Sequence, residues 1–343
     1  MSAGAAIVAQ AEARGVPARM VDVLDCTGRA FRAWFRGGYE TLVRRRPSAW
    51  GHLYRTSDRP LLNYWFQTAL DWTFCGPIRR LIETDRPDWV VCTHSLPQPR
   101  LPRLRARFGF KTAVVVTDLY PHRMWLRGAP DRYFVPTPWS GDRLAARLGH
   151  ARSIEVTGIP IHPAFARPGA PSAPGRVALV TSGGIGAGPV TEAIDAILAA
   201  GWSARFVAGQ NDQARQRVAA RYAGDPRVAA YGRLTPQQMA EAMRTSDLLV
   251  GKPGGLTTFE ALAIGIPFLV YVPFIIPGQE ERNAEYLVEA GAGAIAADPH
   301  GLRDWLDQAS AERLTAMRTA ARAEARPDAA AHIVGALAGA RSR

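Results

Sequence analysis

A chain of 343 residues, 47% of them apolar, is long enough for two ordinary domains with a core each. It holds no apolar run of about eighteen residues, and its opening MSAGAAIVAQAEARG lacks a basic segment followed by an apolar core, so neither a spanning helix nor a secretory leader is expected. The three cysteines, Cys26, Cys75 and Cys92, are odd in number and form no CxxC, which points to a reducing compartment and no metal cage, and the net charge of +12 (42 Lys/Arg against 30 Asp/Glu) favours an anionic partner.

In chain order, SAGAAIVAQAEARG reads as a helix and ARMVDVLD (18–25) as a strand. A long helical region, 30–83, follows. Within it RAFRAWFRGGYETLVRRR (29–46) sets Trp34 and Phe35 among Arg32, Arg36, Arg44, Arg45 and Arg46. Aromatics flanked by arginines suit a helix lying in a membrane interface; an ordinary buried helix face gives the same stripe. PDWVVCTHS, KTAVVVTDLY, RYFVPT and SIEVTGIP then read as strands. HPAFARPGAPSAPG (162–175), rich in Pro, Gly and Ala, reads as a linker. Beyond it the alternation is clean: strand RVALVTSGGIGAG, helix PVTEAIDAILAAG, strand SARFVAGQND, helix DQARQRVAARYAG, strand RVAAYGRL, helix TPQQMAEAMRTS, strand DLLVGKPGG, helix from Thr257 to Ile264, strand PFLVYVP. Strands alternating with helices give parallel sheets covered on both faces. The fold class is α/β, with two doubly wound Rossmann-like domains facing a cleft. An N-terminal domain spans 1–165, the linker 166–175 and a second domain 176–325, with a last helix over 326–343 returning toward the first domain. The charge follows this division. Residues 1–150 hold 23 Lys/Arg and 12 Asp/Glu, whereas 151–343 hold 19 and 18.

Two glycine turns carry the chemistry. In KPGGLTTFEALAIGIP (252–267) a strand ends, Pro253, Gly254 and Gly255 turn, and a helix starts beside Thr257 and Thr258. Helix N-termini present unpaired amides and a partial positive charge, and glycine lets a ligand come close, which suits a diphosphate. Glu260 would repel that group. It is suited to gripping a ribose diol, or it simply caps the helix dipole. TSGGIGAG (181–188), with Gly183, Gly184 and Gly186, is a second such turn, though not a GxGxxG. PGQEERN (277–283) then places Gln279, Glu280 and Asn283 just before a helix, where they can hydrogen-bond neighbouring hydroxyls. Together these features describe a nucleotide-sugar.

The stretch GKPGGLTTFEALAIGIPFLVYVPFIIPGQEERNAEYLVEAGAG resembles the donor-binding region of the diacylglycerol glycosyltransferases, the family that includes monogalactosyldiacylglycerol synthase. These are relatives of the peptidoglycan GlcNAc transferase in glycosyltransferase family 28. VVVTDLYPHRMWL (114–126), VTGIPIHPAF (156–165) and LVTSGGIGAG continue the resemblance over most of the chain. It implies GT-B architecture and inverting transfer from a UDP-sugar to a lipid, with no catalytic metal and no cofactor. It also implies that Gly183–Gly186 and Gly254–Thr258 hold the diphosphate. Glu260 would take the ribose, Gln279 and Glu280 the hexose hydroxyls, and the loop with Gln210 and Asn211 would lie near the uracil.

The sequence departs from the family in two places. Members usually open with a strand and a glycine-rich loop ending in Gly-His. Here the matching helix begins at Met1, and we expect a start upstream of it. Without that His, the candidate general bases are His94 in CTHS, Asp118 in VTDL, and His122, any of which could instead be a capping or packing residue. Second, His162 stands where many relatives carry an Arg that can meet the diphosphate.

The expected protein is a peripheral enzyme on the cytoplasmic face of the cell membrane. It would move a hexose from a UDP-sugar to diacylglycerol and bind anionic lipid but no nucleic acid. The alternatives are GlcNAc transfer to another lipid-linked acceptor, and a UDP-sugar-binding protein without turnover.

Overall fold

The structure is a computed structural model that describes residues 3–28, 32, 37–38, 47–58, 75–149, 153–168, 175–183, 188–278 and 280–339. It divides into two compact units: Met1–Ile161 with Asp328–Arg343, and His162–Pro327.

The first unit contains α1 (Ala3–Ala13), α2 (Pro47–Ser57), α3 (Cys75–Asp85), β1 (Trp89–Cys92), α4 (Leu101–Phe108), β2 (Lys111–Val115), β3 (Arg132–Val135), α5 (Pro138–Leu148) and β4 (Ser153–Val156). The four strands are parallel in the order β1-β2-β3-β4, so β1 and β4 are edges among the described residues. Alternate residues of β2 face opposite ways. Ala113 and Val115 join Phe134 under α1, through Ile7 and Ala11. The final helix, α13 (Ala329–Gly339), adds Ile333, Val334 and Leu337 to that face. Val114 and Val116 join Tyr133, Val135, Ile78, Ile82 and Leu144 on the other.

The strand expected over 18–25 does not form. Val23–Cys26 is a 3-10 turn instead, closed by Asp22, whose Oδ1 accepts the Leu24 amide at 2.9 Å. An aspartate that bonds the backbone two residues on offers the chain a turn in place of a ladder. No described strand precedes β1.

The second unit contains β5 (Val177–Thr181), α6 (Val190–Ala199), β6 (Ser203–Val207), α7 (Asp212–Arg221), β7 (Val228–Tyr231), α8 (Pro236–Arg244), β8 (Leu248–Gly251), α9 (Gly255–Ile264), β9 (Phe268–Tyr271), α10 (Glu281–Glu289), β10 (Gly293–Ala296), α11 (Pro299–Asp307) and α12 (Ala311–Ala323). Its six parallel strands run β10-β9-β8-β5-β6-β7. Strands β8 and β9 are buried at every residue, as expected of a parallel sheet covered on both faces. The chain winds outward from β5 through β6 and β7, then returns to build β8, β9 and β10 on the other side. The switch point therefore lies between β5 and β8, and ligands of such sheets bind outside the carboxyl ends of the strands there. At this point the strands pack so closely that a Cβ on Gly251 would lie 2.5 Å from the Thr181 carbonyl oxygen.

Candidate active site

The carboxyl ends of β5 and β8 carry the two glycine turns. Helix α9 starts at Gly255, two residues earlier than the sequence pattern suggests, with Gly254 as its N-cap. Glycine has no side chain to bond the first amides, and no side-chain cap is present. Helix α8, in the same unit, is by contrast closed by a full capping box of Thr235 and Gln238. The open amides of α9 thus face the switch point with the dipole's positive end.

The early start also decides between the two readings of Glu260. It is the sixth helical residue, past the first turn, so it does not serve as the dipole cap. It follows Thr257 by three positions and shares its face of the helix. Burial pushes its carboxyl up to about 7. The side chain nevertheless keeps intermediate exposure, and it makes no hydrogen bond or ion pair with a described residue. A carboxyl raised by desolvation and left unpaired suits a ligand's hydroxyls.

Around these elements lies a set of polar groups in which Lys252 is the centre. Its Nζ donates to Glu280 Oε1 at 2.6 Å, and Glu280 Oε2 accepts the Ile276 amide at 2.9 Å. The Lys252 stem crosses the first glycine turn: a Cβ on Gly183 would lie 2.2 Å from its Cε. Gly254 is on the other side, where a Cβ would lie 3.7 Å from Glu280 Oε1 and 4.0 Å from Thr257 Oγ1. Asn283 Nδ2 donates to the Pro253 carbonyl at 2.6 Å and holds the turn's shape. The buried hydroxyls of Ser182 and Thr258 and Oδ1 of Asn283 have no hydrogen-bond partner among the described residues. Gly183, Pro253, Gly254, Gly255, Thr257, Thr258, Glu280 and Asn283 are therefore brought together. Gly184, Gly186 and Gln279 lie outside the described residues.

Glu280 differs from its expected role. Its carboxylate is buried, paired with Lys252 and held by a backbone amide, so it is already engaged rather than waiting for a sugar. Neither the pair nor the position of Lys252 was read from the sequence. The available signal is compositional: Lys252 is one of two lysines among 42 basic residues, and it stands in the glycine turn. Asn211 caps α7 by accepting the Ala214 amide at 3.0 Å, and Gln210 beside it is exposed. His162 caps a 3-10 turn, its Nδ1 accepting the Ala164 amide at 3.0 Å, and burial lowers its pKa.

Gly183 has φ +77°, a region that costs other residues about 1 kcal/mol. Gly183→Ala is expected to lose about 1–2 kcal/mol in a denaturant melt. It should also push Lys252 off Glu280.

In the first unit the three candidate bases separate. His122 is fully buried. Its Nδ1 accepts the Met124 amide at 3.1 Å, so the neutral ring carries its proton on Nε2, which lies 3.1 Å from the Tyr54 carbonyl oxygen. Burial lowers its pKa although Asp58 lies 3.6 Å away. Both nitrogens are committed, and the geometry makes His122 a structural residue. It is part of a knot around Asp58. Burial acts to raise the Asp58 carboxyl, but hydrogen bonds from Arg147 (2.8 and 2.9 Å) and from the Arg123 amide (2.8 Å) outweigh it and hold the group down. Tyr120 donates to it as well, at 3.0 Å. The knot ties α2 to the segment after β2 and to α5. Asp58→Ala leaves Arg147 buried without its counter-charge and is expected to cost about 3–5 kcal/mol in a denaturant melt.

His94 is exposed, but its Nδ1 accepts the Leu96 amide at 3.2 Å. Its neutral form therefore presents Nε2–H, a donor, and burial of its surroundings lowers its pKa. Asp118 follows the carboxyl end of β2 and is half-buried, with Oδ2 accepting the Trp125 indole N–H at 2.9 Å. Asp118 is thus held at the end of β2 by an accepted hydrogen bond, and a carboxylate there is a residue type suited to act as a base. Arg32 is engaged with the turn beside it, donating to Leu24 O and Asp25 O and pairing with Asp25 at 3.1 Å. Its side chain stays one-third exposed beside these contacts. Trp34, Phe35, Arg36, Arg44, Arg45 and Arg46 lie outside the described residues.

Comparison with known proteins adds to this geometry. Residues 1–161 match the model of monogalactosyldiacylglycerol (MGDG) synthase, and residues 208–333 match the glycosyltransferase family 28 C-terminal domain. An uncharacterized glycosyltransferase of Bacillus subtilis, YkoN, is 26% identical, over 83% of this chain and 77% of its own. A processive diacylglycerol beta-glucosyltransferase of Bacillus pumilus is 31% identical, over 63% of this chain and 58% of its own. This chain thus spans less than two thirds of that relative's length. Among solved structures, spinosyn rhamnosyltransferase SpnG complexed with thymidine diphosphate superposes with a TM-score of 0.61 at 16% identity, covering 99% of this chain and 96% of that one. MurG of Acinetobacter baumannii superposes with a TM-score of 0.58 at 17% identity, covering 77% and 76%. At those identities the structural likeness speaks to the fold, which is GT-B.

Proposed function

We propose, because the chain belongs to glycosyltransferase family 28, that it moves a hexose from a UDP-sugar to the hydroxyl of a lipid, with diacylglycerol as the acceptor and inversion at the anomeric carbon. The observation that carries this reading is Glu260: a carboxyl with no hydrogen-bond or ion-pair partner among the described residues, raised to about 7, on the same helix as a set of open N-terminal amides at the β5/β8 switch point. A ribose diol on the carboxylate and a diphosphate at the amides match that arrangement group for group. The likeness of residues 1–161 to MGDG synthase, and of 63% of the chain to a processive diacylglycerol beta-glucosyltransferase, supports the lipid acceptor.

On this reading the leaving diphosphate is neutralised by the α9 N-terminus and by side chains, and no metal ion is required. Asp118 serves as general base, taking the proton of the lipid hydroxyl as its oxygen attacks the anomeric carbon and UDP departs. The excess of 23 basic over 12 acidic residues in 1–150 draws the enzyme to an anionic bilayer on the cytoplasmic side. Exposed Met20, Val21, Leu53 and Trp139 in the first unit supply apolar contact. No helix among the described residues is long and apolar enough to cross a membrane.

The test is UDP release and glycolipid formation from a panel of UDP-hexoses on anionic liposomes containing diacylglycerol. One new glycolipid whose formation weakens with salt is the expected result. UDP release from no hexose, with the liposomes present, would overturn the reading.

A further inference from the structure

Lys252 stands in the glycine turn after β8, and its partner among the described residues is the buried carboxylate of Glu280. The ammonium carries three protons. One goes to Glu280 Oε1 at 2.6 Å. The pair is largely shielded, with side-chain exposures of 16% for Lys252 and 7% for Glu280. A buried ion pair of this kind is a poor source of stability, since desolvating the two charges offsets most of their attraction. Its position is more informative. The stem runs over Gly183, where any Cβ would collide with it, and so joins the turn after β5 to the turn after β8. The buried hydroxyls of Ser182 and Thr258, without a hydrogen-bond partner among the described residues, belong to the same two turns. In a chain that uses arginine for 40 of its 42 basic residues (42 less two lysines), the one cation in this turn is a lysine. A compact ammonium can pass across Gly183, whereas a planar guanidinium needs the space that the turn occupies.

We infer that Lys252 is the cation that takes the donor's diphosphate, and that Glu280 is a positioning residue that holds the ammonium over Gly183 before the donor arrives. The inference rests on the UDP-sugar reading above. It gives Glu280 a task distinct from sugar recognition. The carboxylate holds the ammonium extended over Gly183, so that little rearrangement is needed when the phosphates bind. Lys252 contributes two protons to phosphate oxygens while the third stays on Glu280. The α9 amides bind the same diphosphate from the other side.

The experiment measures uridine, UMP and UDP binding by calorimetry, with inorganic pyrophosphate as a probe without the nucleoside. The proteins are the unaltered chain, Lys252→Met, Lys252→Arg, Glu280→Gln and the double variant Lys252→Met/Glu280→Gln. The double variant removes both charges together, so it leaves no buried charge unpaired, and a thermal melt verifies its fold. The unaltered protein is expected to bind UDP at least roughly tenfold more tightly than uridine, and the double variant to lose most of that ratio with uridine affinity unchanged. Pyrophosphate competition should fall in parallel. Glu280→Gln, which releases the ammonium from its tether, should lower the UDP-over-uridine ratio several-fold without abolishing it, and an unchanged ratio would remove the positioning role from Glu280; Lys252→Arg should recover only part of what Lys252→Met loses. A folded double variant that retains the full ratio would overturn the assignment of Lys252 and leave the donor reading standing. An unaltered protein that binds none of the uridine compounds would overturn both.

Discussion

Glu260→Gln is expected to stabilise the protein above pH 7 while weakening its hold on the donor. The carboxyl is raised by burial to about 7, against an ordinary value of 4.5, and no described residue compensates its charge. Between those two values the native state keeps a proton that the unfolded chain has released, so stability falls as pH rises across that window. Above pH 7 the full cost is present, about 1–3 kcal/mol once the partial exposure of the side chain is allowed for. Glutamine removes the charge and keeps the shape. The difference in melting stability between variant and parent should therefore be near zero around pH 4.5, grow between pH 4.5 and 7, and stay level at pH 8. Uridine binding gives the opposite sign. If the ionised carboxylate accepts the diol's two hydroxyl hydrogens, parental affinity at pH 8 exceeds that at pH 6 by up to roughly tenfold, the change in ionised fraction across a pKa near 7. The variant should bind weakly at both pH values. Equal affinity in variant and parent at pH 8 would remove Glu260 from the diol. A variant less stable than the parent at pH 8 would show that the carboxylate is satisfied in the fold. A stability gain coupled to a binding loss is expected where a site is held strained for a ligand.

The second unit was legible because its physics is local and repetitive. Buried parallel strands read as unbroken apolar runs such as VALV and FLVY, and the helices between them carry their own stops and starts, Thr235 and Pro236 above all. The glycine turns were legible for a similar reason: few purposes besides close backbone approach place so many glycines after a strand. The other elements depend on contacts far apart in sequence. MVDVL has the alternation of a strand, and only the capping bond from Asp22 and the lack of a neighbouring strand to pair with decide otherwise. Glu280 reads as a sugar ligand until Lys252, 28 positions away, is placed beside it. His122 reads as a base until the Tyr54 carbonyl, 68 positions away, is seen to face its Nε2. Titratable residues thus announce a site by type, whereas their roles depend on which partners the fold has already given them.

The largest effect on turnover is expected at Asp118. Asp118→Asn preserves an oxygen that can accept the Trp125 indole N–H at 2.9 Å, so the local fold should hold. It removes the basicity. If Asp118 takes the lipid hydroxyl's proton, kcat should fall by about 10²–10⁴, while UDP-sugar binding changes little, because the contacts proposed for the donor belong to the second unit. Comparison with His122→Ala separates chemistry from packing. Removing a buried ring whose two nitrogens meet the Met124 amide and the Tyr54 carbonyl should cost stability, in the range of about 2–4 kcal/mol for a lost buried polar group and the cavity it leaves. What folded His122→Ala protein remains should keep turning over, whereas Asp118→Asn should melt normally and be nearly inactive. Substantial turnover in Asp118→Asn, or loss of turnover in folded His122→Ala with donor binding intact, would move the base from the carboxylate to the imidazole. That result would require His122 to leave both of its hydrogen bonds in the working enzyme.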